Sequence, residues 1–186
     1  MKKFLKWLFI IIPFLAVVLF VIMVEFIPNK SEKNIEIKTK NYTTKDSRVT
    51  FLADELYNQE EKGDYDLYIN KDNKQVVGAF TYNLNEYEES SSKEILDKQI
   101  NYFVNSRNDM KLFKKETKID MDDKVITRVE YSGKTDKSSD CVYIFSVIDF
   151  KSDTNYVVYV NEVIIKSMYE KHIGEMVDIL KSAKLN

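Results

Sequence analysis

The 186-residue chain has one cysteine, one histidine, one tryptophan, two prolines and four glycines. With Cys141 alone there is no internal disulfide, no site built from several cysteines, and no lipobox. With His172 alone there is no multi-histidine metal centre, and one imidazole remains for any Ser-His or Cys-His pair. No phosphate loop, Gly-x-Ser-x-Gly elbow or internal repeat occurs. These absences predict no cofactor, no metal and no catalytic residue, and so a protein that is not an enzyme. Positive charge is also short: 24 basic against 29 acidic residues follow the N-terminal thirty, a balance near −5. Nucleic-acid binders usually carry a net basic footprint, so no nucleic-acid partner is expected.

What the chain does have is the run Trp7–Val24, WLFIIIPFLAVVLFVIMV, eighteen residues without a charge. As a helix it covers roughly 27 Å, close to the roughly 30 Å hydrocarbon core of a bilayer. The run is longer than a secretory h-region. Its exit, Val24-Glu25-Phe26-Ile27-Pro28, is bulky where a signal peptidase needs small residues. An uncleaved transmembrane anchor is expected, meeting the lipid bilayer through residues 7–24. Lys2, Lys3 and Lys6 concentrate positive charge ahead of it, which favours a cytoplasmic N-terminus and an extracytoplasmic soluble part.

The expected organisation is an anchor over residues 1–27, a polar linker over 28–47 and a folded domain over 48–186. A short strand at Ile35–Ile37 is allowed within the linker. Val49–Leu52 begins the domain as a strand or short helix. Tyr65–Ile69 and Gln75–Tyr82 alternate as two strands of a hairpin turning at Lys71–Lys74. Ser91 and Glu94 have capping-box spacing, and Ile95, Leu96, Ile100, Phe103 and Val104 then share one helical face. Strands follow at Lys111–Met121, Lys124–Ser132, Cys141–Phe150 and Tyr156–Ile165. The last two are apolar on both faces and need a layer on each side. A closing helix runs from Tyr169 to about Lys184, with Ile173, Met176, Val177 and Leu180 inward and Gly174 weakening it by roughly 1 kcal/mol. The fold class is α+β: a transmembrane helix, then an antiparallel β-sheet packed with two amphipathic helices, an α/β/α arrangement.

The order of hairpin, amphipathic helix, meander and closing helix resembles the PsbP-like fold. The last segment, Tyr169-Glu170-Lys171-His172-Ile173-Gly174-Glu175-Met176-Val177-Asp178-Ile179-Leu180-Lys181-Ser182, is similar to that family's ending, in which an aromatic leads into a helix finishing on an aliphatic pair and a Ser. The resemblance spans about residues 49–185; the usual Pro-x-x-Trp near the domain start is absent. It implies a small extracytoplasmic module that binds and stabilises a larger assembly.

Several groups are candidates for chemistry or binding. Asp120-Met121-Asp122-Asp123 is an acidic turn without the Gly and distal Glu of an EF-hand. Glu86, Glu88 and Glu89 precede the first helix and favour its dipole. Lys111, Lys114, Lys115 and Lys118, with Lys137, form a basic cluster for an anionic lipid or polymer, or a solvated strand face. Tyr65, Tyr68, Tyr82, Tyr102, Tyr131, Tyr143, Tyr156 and Tyr159 are either half-buried sheet residues or an aromatic cleft. A hydrolase would need Ser146, Asp149, Glu162 and His172 in one pocket. The leading expectation is a membrane-anchored, non-enzymatic module docking onto an envelope protein; the alternative is a small-ligand or cell-wall-polymer binding module with an aromatic cleft.

Overall fold

Val142 to Ile148 alternate their side chains between two hydrophobic clusters, and no position among them reaches solvent. This stretch lies in β8 (Asp140–Phe150), and β9 (Tyr156–Ile165) beside it is nearly as buried. The computed structural model describes residues 38–72, 74–107 and 109–186. The apolar run Trp7–Val24 and the short strand expected at Ile35–Ile37 lie outside them. Among the described residues no helix is long and apolar enough to cross a membrane.

The remaining strands are β1 (Thr39–Thr43), β2 (Val49–Asp54), β3 (Asn58–Gln59), β4 (Leu67–Lys71), β5 (Gln75–Asn83), β6 (Lys111–Asp120), β7 (Lys124–Lys134) and β10 (Lys184–Leu185). Helix α1 covers Ser92–Ser106, and α2 covers Tyr169–Ser182 after a 3-10 turn at Lys166–Met168. One antiparallel sheet has the order β3-β4-β5-β9-β8-β7-β6, and a smaller one the order β1-β2-β10. Helix α1 covers one face of the large sheet, where Ile95, Leu96 and Ile100 meet Val129, Phe145, Val147 and Tyr159. Helix α2 and the small sheet share the other face, where Met176, Ile179 and Leu180 join Phe51, Ile144, Ile148 and Val158.

The class is thus α+β with two helices on antiparallel strands, but the single sheet expected is two. Thr39–Thr43, expected in the polar linker, forms β1. Its three outer residues are exposed, so only Tyr42 faces the core, and its hydroxyl donates to the carbonyl oxygens of Tyr57 (2.6 Å) and Asp54 (3.1 Å). The chain end forms β10 against β2, through Lys184 opposite Thr50 and Leu185 opposite Val49. Ser182 couples helix and sheet: its Oγ accepts from the Leu52 N–H at 2.8 Å. The helix start at Ser91 is as the capping pattern predicts, with the Glu94 N–H donating to Ser91 Oγ at 3.3 Å. The Glu94 carboxylate, however, takes the N–H of Ser90 rather than that of Ser91.

Two glycines separate close approach from mere flexibility. A Cβ on Gly78 would stand 2.5 Å from Cε1 of Tyr65, whose ring lies across β5; a Cβ on Gly174 would meet nothing within 4 Å. Met176, Ile179 and Leu180 are each buried in α2, each contributing about 1.5–3 kcal/mol. Together they outweigh the roughly 1 kcal/mol that Gly174 takes from the helix. Gly174→Ala is therefore expected to stabilise by about 0.5–1 kcal/mol. Gly78→Ala is expected to destabilise by about 1–3 kcal/mol through overpacking. Thermal melts of the two variants check both signs.

Candidate functional site

The groups a hydrolase would need do not converge. Asp149 lies on the α1 side of β8, and burial raises its pKa against the pull of Ser92 and Lys118. Ser146, Glu162 and His172 lie on the α2 side, and no hydrogen bond joins them among the described residues. His172 Nδ1 sits 3.1 Å from Glu175 Oε2 within the same helix. Cys141 is buried on the α1 side, with burial raising its thiol pKa and its Sγ 3.6 Å from the Gly133 carbonyl oxygen. No Cys-His pair forms, because the two residues lie on opposite sides of the sheet.

Four of the acidic candidates are engaged by lysines or by a turn contact. Asp120 takes Lys151 at 2.8 Å and Asp123 takes Lys124 at 2.5 Å. Glu89 pairs with Lys98, and Glu86 accepts from Asn83 at 2.8 Å. Among the described residues no group of three His, Cys, Asp or Glu is placed to hold a metal ion.

A polar island is buried beneath α2. Arg128 and Glu130 point from β7 toward the α2 side, and both are buried. Their alternation with Val125, Thr127, Val129 and Tyr131 was legible in the sequence; their burial was not. Arg128 Nη2 donates to Glu130 Oε1 at 2.7 Å, and the Tyr169 hydroxyl donates to Glu130 Oε2 at 2.6 Å. Lys114 donates to the Tyr169 oxygen at 2.5 Å, bridging β6 to α2. Tyr169, an aromatic that opens the closing helix, is therefore the hinge pin of this face.

Two strands away, in the same cross-strand row through Ile144, stands Glu162. It is 0% exposed, and neither carboxylate oxygen has a hydrogen-bond partner among the described residues. Burial raises its pKa to about 8; Arg128 opposes the rise and Glu130 adds to it. Ser146 Oγ and Arg128 Nε are also unpartnered among the described residues. A buried polar group without a partner lowers stability, and a neutral carboxyl is the less costly form.

Two features lie at the surface. The first is the edge strand β6, exposed from Lys111 to Lys118. Lys111, Lys115 and Lys118 make no ion pair among the described residues, whereas Lys114 is held by Tyr169. Leu112 and Phe113 are 52% and 36% exposed, and Phe113 packs edge-to-face on Tyr169 at 5.3 Å. Beside them is a cleft of about 410 Å³ lined by Lys111, Ser132, Gly133, Lys134 and Lys166, with Asp109 and Asp140. Lys137 lies in the β7–β8 loop, outside this lining.

The second surface feature is a row of rings along β4 and β5. Tyr68, Tyr65, Phe80, Tyr82 and Tyr87 follow at centroid spacings of 5.8, 4.8, 6.4 and 4.9 Å. A cleft of about 350 Å³ adjoins it, lined by Asp46, Asp66, Phe80, Thr81, Tyr87 and Tyr156 among others. Asp46 receives Thr44, Thr81, Tyr156 and the Arg48 N–H; these bonds outweigh burial and lower its pKa. The other tyrosines are structural: Tyr159 is fully buried, while Tyr131 and Tyr143 pack around Phe103 and Phe145. Tyr102 is exposed on α1.

A carboxyl whose folded pKa lies above its unfolded value holds its proton more tightly when folded. Glu162 therefore penalises folding increasingly as pH rises from about 4.5 to about 8. Glu162→Gln is expected to flatten this part of the pH–stability curve and to raise Tm at pH 8 by several degrees, at about 2–4 °C per kcal/mol. Melts of both proteins at pH 5, 6.5 and 8 check it.

No family profile and no curated protein matches the sequence. Solved structures do match in fold. The solution structure of cyanobacterial PsbP (CyanoP) from Synechocystis sp. PCC 6803 is similar at TM-score 0.58 and 8% identity, over 86% of this chain and 99% of that one. The Ran-binding protein Mog1p of Saccharomyces cerevisiae is similar at TM-score 0.52 and 9% identity, over 80% and 96%. The domain has the PsbP-like fold, built here on a seven-stranded sheet with a helix on each face.

Proposed function

We propose that this chain is a membrane-anchored, non-enzymatic, extracytoplasmic module that docks onto a protein of the cell envelope. The observation that carries the reading is the β6 edge. It is an uncovered strand, among the described residues, with apolar Leu112 and Phe113 set between Lys111 and Lys114, the second of which is held by Tyr169. Leu112, opposite Tyr131, and Phe113, against Tyr169, leave this edge apolar on both of its faces, and an unpaired strand edge flanked by exposed apolar side chains suits a protein partner. The apolar run at residues 7–24 supports tethering, which raises the effective concentration of a weak binder near its partner. One structural neighbour is itself a Ran-binding protein, which is in keeping with a protein-binding role for this fold.

A second reading has its own observation. The row from Tyr68 to Tyr87 offers five rings beside a polar cleft, a platform suited to a cell-wall polymer or small ligand. Cell-wall fragments raising Tm in a thermal-shift series, with the rise lost in Tyr87→Ala, would move the assignment to this face.

The docking reading predicts that the full chain sediments with membranes and that removing residues 1–27 releases it. It also predicts that affinity capture from solubilised membranes returns the same envelope protein in every replicate. A full chain that stays soluble, or captures that share no protein, would contradict it.

A further inference from the structure

We infer that the open edge of β6 takes an extended acidic segment of the partner protein, which adds to the sheet as a further antiparallel strand. This rests on the docking reading above and names the chemistry of its partner. Strand β6 pairs with β7 on one side only, and no described strand lies on the other. Ten residues at about 3.4 Å each expose some 34 Å of unpaired backbone donors and acceptors, the groups that strand addition uses.

Lysines and bulges commonly guard such an edge against self-pairing. Both are present: the β6–β7 register shifts between Leu112 and Lys114 and again between Lys114 and Thr117. Protection alone does not explain Leu112 and Phe113, which stay exposed in the middle of the lysines. Nor does it explain their order. Phe113 is held by Tyr169 at 5.3 Å, with Lys114 and Lys166 each 5.8 Å from its ring centroid, so little freedom is lost when it is covered.

Charge selects the occupant. The domain is net acidic, yet Lys111, Lys115, Lys118, Lys134 and Lys166 gather around this edge. Of the two carboxylates in the adjoining cleft, Asp109 is engaged by the Lys134 backbone N–H and lies 3.9 Å from Arg107. The lysines that repel a second copy of β6 attract an acidic strand, so one set of charges serves both rejection and recognition. An incoming carboxylate meets Lys111, Lys134 and Lys166 in a cleft that Asp109 and Asp140 also line, and apolar side chains of the segment cover Leu112 on the α1 face and Phe113 on the α2 face. A lipid surface would use the charge but not the unpaired backbone or the concave cleft.

The test uses the full chain in nanodiscs of zwitterionic lipid and fluorescence anisotropy of three ten-residue peptides. One alternates Glu with Val and Thr, one replaces each Glu by Lys, and one keeps the acids but carries two prolines. Binding of the first alone is expected, weakened at least tenfold by Lys111→Glu with Lys166→Glu and unchanged by Lys62→Glu with Lys74→Glu. Leu112→Ser, at an exposed position, is expected to weaken it severalfold while Tm holds. No binding of the acidic peptide, equal binding of the proline peptide, or equal binding by the double variant would each overturn the proposal. If the double variant still captures the envelope partner, the docking role stands and this face is rejected; if the unaltered chain captures none, the docking role itself falls.

Discussion

The structure depends on the double-sided burial of β8 and β9. Their side chains alternate between two apolar clusters, and a sheet of that kind is stable only when both faces are covered. That requirement sets α1 on one side and α2 with the small sheet on the other. It also sets the character of the edges. At one end the sheet tapers through β4 to a two-residue β3; at the other it stops at β6, ten residues long and uncovered among the described residues. The open edge of β6 is thus a by-product of how the core is closed.

The α2 face carries the less obvious constraint. Arg128, Glu130, Ser146 and Glu162 occupy positions where apolar residues would pack, and several of their polar atoms find no partner among the described residues. Tyr169 turns part of this liability into a fastening, since it accepts from Lys114 and donates to Glu130, linking β6, β7 and α2. A second fastening lies farther along the helix. Lys71 bridges Asp54 at 2.6 Å and Glu175 at 3.3 Å, and these charges outweigh burial in raising its pKa. The edge strand and the closing helix are therefore held by polar contacts as well as by the core.

Much of the fold was legible because its long elements carry clear periods. The two-faced apolar runs of β8 and β9, the cap at Ser91 and the amphipathic stripe of α2 each point to one structure. What was missed depends on closure at long range. Strand β10 is two residues long and forms only by returning to β2; β1 shows one inward side chain among five positions, the other four exposed or half-exposed. The lysines of β6 were visible as a cluster. That Leu112 and Phe113 stay uncovered, and that Lys134 and Lys166 come to the same cleft, follows from pairing and from the 3-10 turn, which no local pattern records. Arg128 and Glu130 share a side by alternation, but alternation does not tell which side is covered, so their burial was not legible.

The claim on which the rest turns is that the domain is rigid at β8 and β9 and open at β6. Residue-resolved hydrogen exchange on the full chain in nanodiscs tests it most directly. The amides of β8 and β9 are expected to exchange only through global unfolding, while alternate amides of β6, those facing away from β7, exchange orders of magnitude faster. Uniform protection along β6, equal to that of β8, would show the edge already covered and would contradict the account.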